Sequence, residues 1–172
     1  MRDIVAFYQG TATDDRGRRL RDIWQWDDDQ LEEVHNYIQW LFPNRDPSMF
    51  NYNAPLLDDA TEAAFHADES LRRNLESSLE VMLRFYGLEY RPDSEDVVRR
   101  EDFAHKAANW LHPYNHNYLR ITRILKCLMA LGLRKRAQAF YDCLRDIYQQ
   151  LPERIGEETL AYWTEAVTKS ES

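Results

Sequence analysis

From Leu133 to Leu151 the apolar residues Ala137, Phe140, Tyr141, Leu144, Ile147, Tyr148 and Leu151 recur at steps of three and four. That spacing places them on one stripe of an α-helix; a strand would need steps of two. Pro152 ends the run, because proline has no amide donor to continue the helical ladder. The same period returns in Leu71, Leu75, Leu79, Met82, Leu83 and Tyr86, closed by Gly87 where a left-handed cap is expected. It returns again in Ile121, Ile124, Leu125, Leu128 and Leu131, closed by Gly132. Arg120, Arg123 and Lys126 are expected on the opposite side of that helix. Residues 3–9 read as one or two turns of helix or as an extended segment against the core, and shorter helices are predicted from Asp58 or Asp59 to about 67, from Glu101 to Leu111 and over about 156–168, with fraying from Thr168 to Ser172.

The stretch from Trp26 to Pro47 is predicted to hold one further helix. Asp27, Asp28 or Asp29 supplies its N-cap, and Leu31, Val34, Ile38 and Leu41 form its core stripe. In that helix His35 and Gln39 share a face, with Asn36 beside it. Arg16, Arg18, Arg19 and Arg21 form a basic cluster just before it, either a solvated face balanced by the aspartates at 27 to 29 or an anion contact. Residues 43–57 read as an ordered loop, since Met49, Phe50, Tyr52, Leu56 and Leu57 are costly to leave in water. Residues 88–100 are charged and read as a surface connection. No segment alternates as a strand over a useful length. The chain is therefore expected to be all-α, a single compact domain over residues 1–172 with about six or seven helices.

Composition removes several function classes. A net charge of −8 argues against general nucleic-acid binding, which needs a basic surface. The N-terminus has no secretory apolar core, and no apolar run approaches the ~20 residues of a membrane span. These features predict a soluble, cytoplasmic protein without a transmembrane segment. Cys127 and Cys143 form no zinc pattern and read as small buried hydrophobes in a reducing compartment. The five histidines make no close metal pair, and Pro113 separates His112 from His116. There is no nucleophile elbow and no glycine-rich phosphate loop. The expectation is no enzyme, no metal and no cofactor. A haem on one axial histidine, since a single ligand leaves no spacing signature, or an unrecognised enzymatic role is the alternative.

The polar residues that the stripes leave unexplained are His35, Gln39 and Trp40 in one stretch and His116, Asn117, Arg120 and Arg123 in another. An imidazole and two guanidiniums near a helix start suit a carboxylate or phosphate. The competing reading is a structural network in a protein-interaction domain, with Arg45 paired to an acid and the loop after Pro43 held in place.

Two stretches, HNYIQWLFP at 35–43 and LRITRILKCLMALGL at 119–133, resemble the conserved domain of the opioid growth factor receptor family, also called the zeta-type opioid receptor. MLRFYGL at 82–88 and the His-Asn pair at 116–117 agree in order and spacing. The chain resembles a minimal, bacterial-type version of that domain. The resemblance implies a receptor-like protein for a peptide, Met-enkephalin in animal members, which restrain growth and associate with the nuclear envelope. Matching positions include His35, Tyr37, Gln39, Trp40, Arg45, His116, Asn117, Arg120 and Arg123. The sequence is thus read as a non-enzymatic helical domain that binds a peptide or small anionic ligand through a polar groove.

Overall fold

The structure, a computed structural model, describes residues 3–49 and 51–168. Phe50, expected in the ordered loop, and the tail after Thr168, expected to fray, lie outside the described residues. Among the described residues the protein is mostly helical, with eleven helices and one two-stranded antiparallel hairpin. The chain divides into two compact units, Met1–Val81 and Met82–Ser172.

The first unit contains α1 (Ile4–Gln9), α2 (Leu20–Trp24), α3 (Asp28–Glu33), α4 (Ile38–Leu41), α5 (Asp59–Ala67) and the first turns of α6 (Glu69–Tyr86). The predicted single helix from Trp26 to Pro47 is two short helices. Asp27 caps α3 through a capping box with Gln30, and the helix stops where Val34 turns to extended backbone. The stripe from Leu31 to Leu41 therefore spans a break, and His35 lies within it.

Tertiary hydrogen bonds take the place of the missing helical ladder. The Arg18 guanidinium donates to the Asn36 carbonyl at 3.3 Å and to Asn36 Oδ1 at 2.9 Å. The Tyr37 hydroxyl donates to the Leu31 carbonyl at 2.7 Å, and its ring packs edge-on against Trp26 at 5.2 Å. Arg18 is itself held by Asp14, whose buried carboxylate accepts from Arg18 Nε at 2.7 Å and from the Arg16 and Arg18 amides at 2.9 Å. Asp14, rather than the expected aspartates at 27 to 29, is the partner of this arginine.

Aromatic rings fill the rest of this core. Phe7 meets Trp40 edge-on at 5.2 Å, and Tyr8 meets Phe65 at 5.4 Å. Ser78, a small polar residue on the apolar face of α6, sits 2.9 Å from the Tyr8 hydroxyl and accepts from Trp24 Nε1 at 2.9 Å. In the loop before α5, Leu57 is buried as expected, but Met49 and Tyr52 are 81% and 89% exposed. The loop is anchored by its main chain instead, through Leu57 N to Asn44 O at 2.9 Å.

The second unit holds the end of α6, the hairpin β1 (Leu88–Arg91) and β2 (Asp96–Arg99), then α7 (Phe103–Trp110), α8 (Asn117–Ala130), α9 (Arg134–Gln150), α10 (Pro152–Ile155) and α11 (Glu157–Thr168). The hairpin corrects the expected surface connection and the all-α reading. Tyr90 pairs with Val97, two β-favouring residues, but Glu89 opposes Val98 and Arg91 opposes Asp96, and the run is too short to show alternation. The Arg136 guanidinium lies 3.8 Å from the Tyr90 ring centroid. Gly87, at φ 81°, ends α6, and a Cβ there would lie 2.9 Å from the Phe103 backbone. Both left-handed geometry and close approach require glycine at this position.

The α8 stripe forms the centre of this unit, with Ile121, Ile124, Leu125 and Leu128 wholly buried. The α9 stripe packs as its period predicts, and Pro152 opens the short α10 after ending α9. No helix among the described residues is long and apolar enough to cross a membrane.

Three predictions follow from the first unit. Arg18→Ala leaves the buried Asp14 carboxylate without its guanidinium and is expected to cost about 3 kcal/mol, read as a lower urea midpoint. Arg45→Ala, which removes an exposed pair, is expected to leave that midpoint unchanged.

Asp58 and Asp68 cap α5 and α6. Hydrogen bonds from Thr61 and from Ser70 hold their carboxyls below the ordinary range. A carboxyl depressed on folding stabilises the fold above its unfolded value, near 4, and loses that contribution as pH falls through the folded value. Asp58→Ala should therefore lower Tm at pH 7, with the difference from the parent closing as the pH is taken well below 4.

Candidate functional site

The α8 helix begins after a turn in which Tyr114 takes φ 62° and Asn115 Oδ1 accepts from the Asn117 amide at 2.9 Å. His116, Arg120 and Arg123 follow at steps of four and three, which aligns them on one side of the helix. Their exposure differs along that stripe: His116 is exposed, Arg120 is 6% exposed and Arg123 is half-buried. The expected placement of Arg120 on the polar side, with Arg123 and Lys126, is thus corrected. Its guanidinium turns inward because Asn117, itself wholly buried, offers an acceptor there. Asn117 Oδ1 accepts from Arg120 Nη1 at 3.4 Å and from the Tyr86 hydroxyl at 3.2 Å.

Tyr86 also begins a series of aromatic contacts. Tyr86, Trp110, Tyr118 and Trp163 meet edge-to-face in series, with centroid separations of 5.1, 6.4 and 5.7 Å. Their polar atoms are matched to main-chain carbonyls: Trp110 Nε1 donates to Tyr86 O at 3.1 Å, and Trp163 Nε1 to Tyr118 O at 3.2 Å. The Tyr118 hydroxyl donates to Arg154 O at 2.8 Å, and burial pushes this phenol up to about 12.

The other predicted site residues lie in the first unit. His35 is exposed in the break between α3 and α4, so it shares no helical face with Gln39. Gln39 is 4% exposed, and its Oε1 has no hydrogen-bond partner among the described residues. Trp40 is buried, and its Nε1 donates to Asp15 Oδ1 at 3.2 Å. The Arg45 guanidinium bridges Glu62 and Asp59 across an exposed surface, and these two acids raise its pKa. That is the acid pairing the network reading expects.

The structure thus brings Asn117 and Arg120 together, adds Tyr86, and leaves His116 and Arg123 at the rim of the same helix. Tyr86 was legible only as a core position; the signal for more was a hydroxyl on an apolar stripe. The Asp14 and Ser78 hubs carried no spacing signal at all.

Neither cysteine is poised for chemistry. Cys127 is buried and its thiol is pushed far up by desolvation, and burial pushes the half-buried Cys143 thiol up to about 11. Among the described residues no group of three or more His, Cys, Asp or Glu could hold a metal ion.

Fold and cluster together define a mostly helical domain whose buried polar core sits beneath a basic helix edge. The chain belongs to the opioid growth factor receptor (OGFr) conserved-region family, which it matches over residues 8–172. It is similar to the opioid growth factor receptor of Mus musculus, 43% identical over 121 residues, covering 68% of this chain and 19% of that protein. It is 40% identical over 117 residues to the Homo sapiens receptor, covering 66% of this chain and 17% of that protein. The opioid growth factor receptor-like protein 1 of Xenopus tropicalis is 38% identical over 113 residues, covering 63% of this chain and 21% of that protein. The matched region is therefore about a fifth of each relative's length. No solved structure matches the chain.

Replacing Asn117 by Ala removes the acceptor shared by two buried donors. Asn117→Ala is expected to cost about 2–3 kcal/mol in urea unfolding, whereas His116→Ala stays within about 0.5 kcal/mol.

Proposed function

We propose that this chain is a non-enzymatic, receptor-like binding domain that takes a peptide or small anionic ligand at the α8 edge. The observation that supports this most is the graded stripe on α8. His116 is exposed and Arg123 half-buried, while Arg120 between them is turned into the core and hydrogen-bonded to Asn117. In this reading His116 and Arg123 contact the carboxylate or phosphate. Asn117, Arg120 and Tyr86 hold the helix start so that those two groups stay in register. The relatives are named as receptors, which fits a binding rather than a catalytic role. The domain would act in the cytoplasm as a soluble protein, without a metal or haem.

In the first unit, Gln39 is the residue of the predicted set with the strongest claim to a ligand, because its buried Oε1 has no hydrogen-bond partner among the described residues. His35 and Arg45 then serve as surface groups around it, and Trp40 as packing.

One observation favours the structural reading of the α8 set: Asn117 Oδ1 is already shared by two buried donors. Isothermal titration of the full chain separates the readings. The probes are Met-enkephalin, the peptide that the family resemblance implies, as its free acid and as its C-terminal amide. The binding reading expects the free acid to bind more tightly. It also expects the double variant His116→Ala, Arg123→Ala to lose about tenfold in affinity, or 1.4 kcal/mol, at unchanged Tm. Equal binding of acid and amide, or no effect of the double variant, would leave the network reading standing.

A further inference from the structure

A groove of about 770 Å³ runs between β2 and α9 in the second unit. Its strand side is lined by consecutive residues, from Glu95 through Arg99. One face of a strand presents alternate residues only, so a lining by consecutive ones marks the strand's edge. Its helix side runs from Lys135 to Asp146 in steps of three and four, a single flank of α9.

That edge is open. The hairpin has two strands, so β1 occupies one side of β2 and, among the described residues, no strand occupies the other. The bond from Arg100 N to Gly87 O, at 2.9 Å, fixes the phase of the ladder. With Leu88 opposite Arg99 and Glu89 opposite Val98, the Val98 main chain faces β1. The N–H and C=O groups of Val97 and Arg99 then point the other way, toward the groove. Among the described residues they have no hydrogen-bond partner on that side.

The charge of the walls selects an occupant. Glu95, Asp96, Asp142 and Asp146 line the groove against Arg99 and Lys135, and Arg99 lies 3.6 Å from Asp146. Ala139 and Cys143 supply a small, neutral floor between the carboxylates of α9. An edge that carries no third strand among the described residues, beside a helix flank bearing Asp142 and Asp146, suits an extended chain with regularly spaced cations. Its backbone would complete the ladder while its side chains meet the acids.

We propose that this groove binds a basic, extended segment of a partner protein, which adds to β2 as a third strand. The segment pairs with the main chain of Val97 and Arg99. Its lysines or arginines reach Asp142 and Asp146. This site is separate from the α8 edge and stands whether or not that edge binds a ligand.

The test uses the full chain and a capped synthetic peptide, Lys-Val-Lys-Thr-Lys-Val-Lys. Two control peptides are its N-methylated form, which cannot complete a ladder, and its all-Glu counterpart. Amide hydrogen exchange is followed residue by residue, with thiol labelling at Cys143 as a second readout in the groove. The Lys peptide is expected to slow exchange at the Val97 and Arg99 amides by about tenfold or more. It is also expected to slow Cys143 labelling, while both controls do neither. Asp142→Lys should abolish the protection without changing Tm, since Asp142 is an exposed helix residue. Equal protection by the N-methylated peptide would overturn strand addition in favour of simple charge attraction. Protection that appears without peptide and grows with protein concentration would assign the edge to a second copy of this chain. No protection at Val97 and Arg99 would overturn the site altogether.

Discussion

The second unit depends on one buried side-chain amide. Asn117 is wholly shielded at the first position of α8, in the helix whose stripe forms the centre of that unit. An unpaired amide there would be costly, so its oxygen must find donors inside the fold. It finds the Tyr86 hydroxyl at the end of α6 and the Arg120 guanidinium one turn along. Those two bonds fix where α6 ends relative to where α8 starts, and they draw Arg120 away from solvent. Tyr86, which donates to that amide, is also the first ring of the aromatic series that runs to Trp163.

The first unit solves a similar problem with a charge. Asp14 is buried and accepts from two main-chain amides as well as from Arg18. The remaining reach of Arg18 goes to Asn36, in the break between α3 and α4. In each unit, then, a polar group that no hydrophobic pattern announces decides how the helices around it begin or end. The groove beside β2 differs in kind: its acids sit on the flank of α9, where Asp146 lies 3.6 Å from Arg99.

Long helices were legible in the sequence because their stripes are long. The runs in α6, α8 and α9 repeat over enough turns that alternative periods fail. Caps were legible where an aspartate precedes a periodic run, as at Asp27 and Asp58. The helix break at Val34 was not legible, because Leu31, Val34, Ile38 and Leu41 mimic one stripe. A guanidinium from Arg18, distant in sequence, meets the chain in that break. The hairpin was hidden by its charge and brevity: four-residue strands carry too little alternation to compete with a run of Glu, Arg and Asp. Burial of the Met49 and Tyr52 side chains was predicted from hydrophobicity alone. That rule fails for a loop anchored by its main chain. Of the candidate site, the α8 set was legible by spacing, but the inward turn of Arg120 was not. A cation is drawn inside only when an acceptor waits there, and no spacing rule reveals that Asn117 is buried.

The central claim is that Asn117 and Tyr86 act as one unit that organises the second half of the chain. A double-mutant cycle of Tyr86→Phe and Asn117→Ala, read by urea unfolding, tests it directly. Tyr86→Phe keeps the ring and removes only the hydroxyl, so the cycle isolates the hydrogen bond. The account predicts a coupling of about 1 kcal/mol, with Tyr86→Phe costing far less once Asn117 is gone. Two losses that simply add, to within about 0.3 kcal/mol, would contradict it.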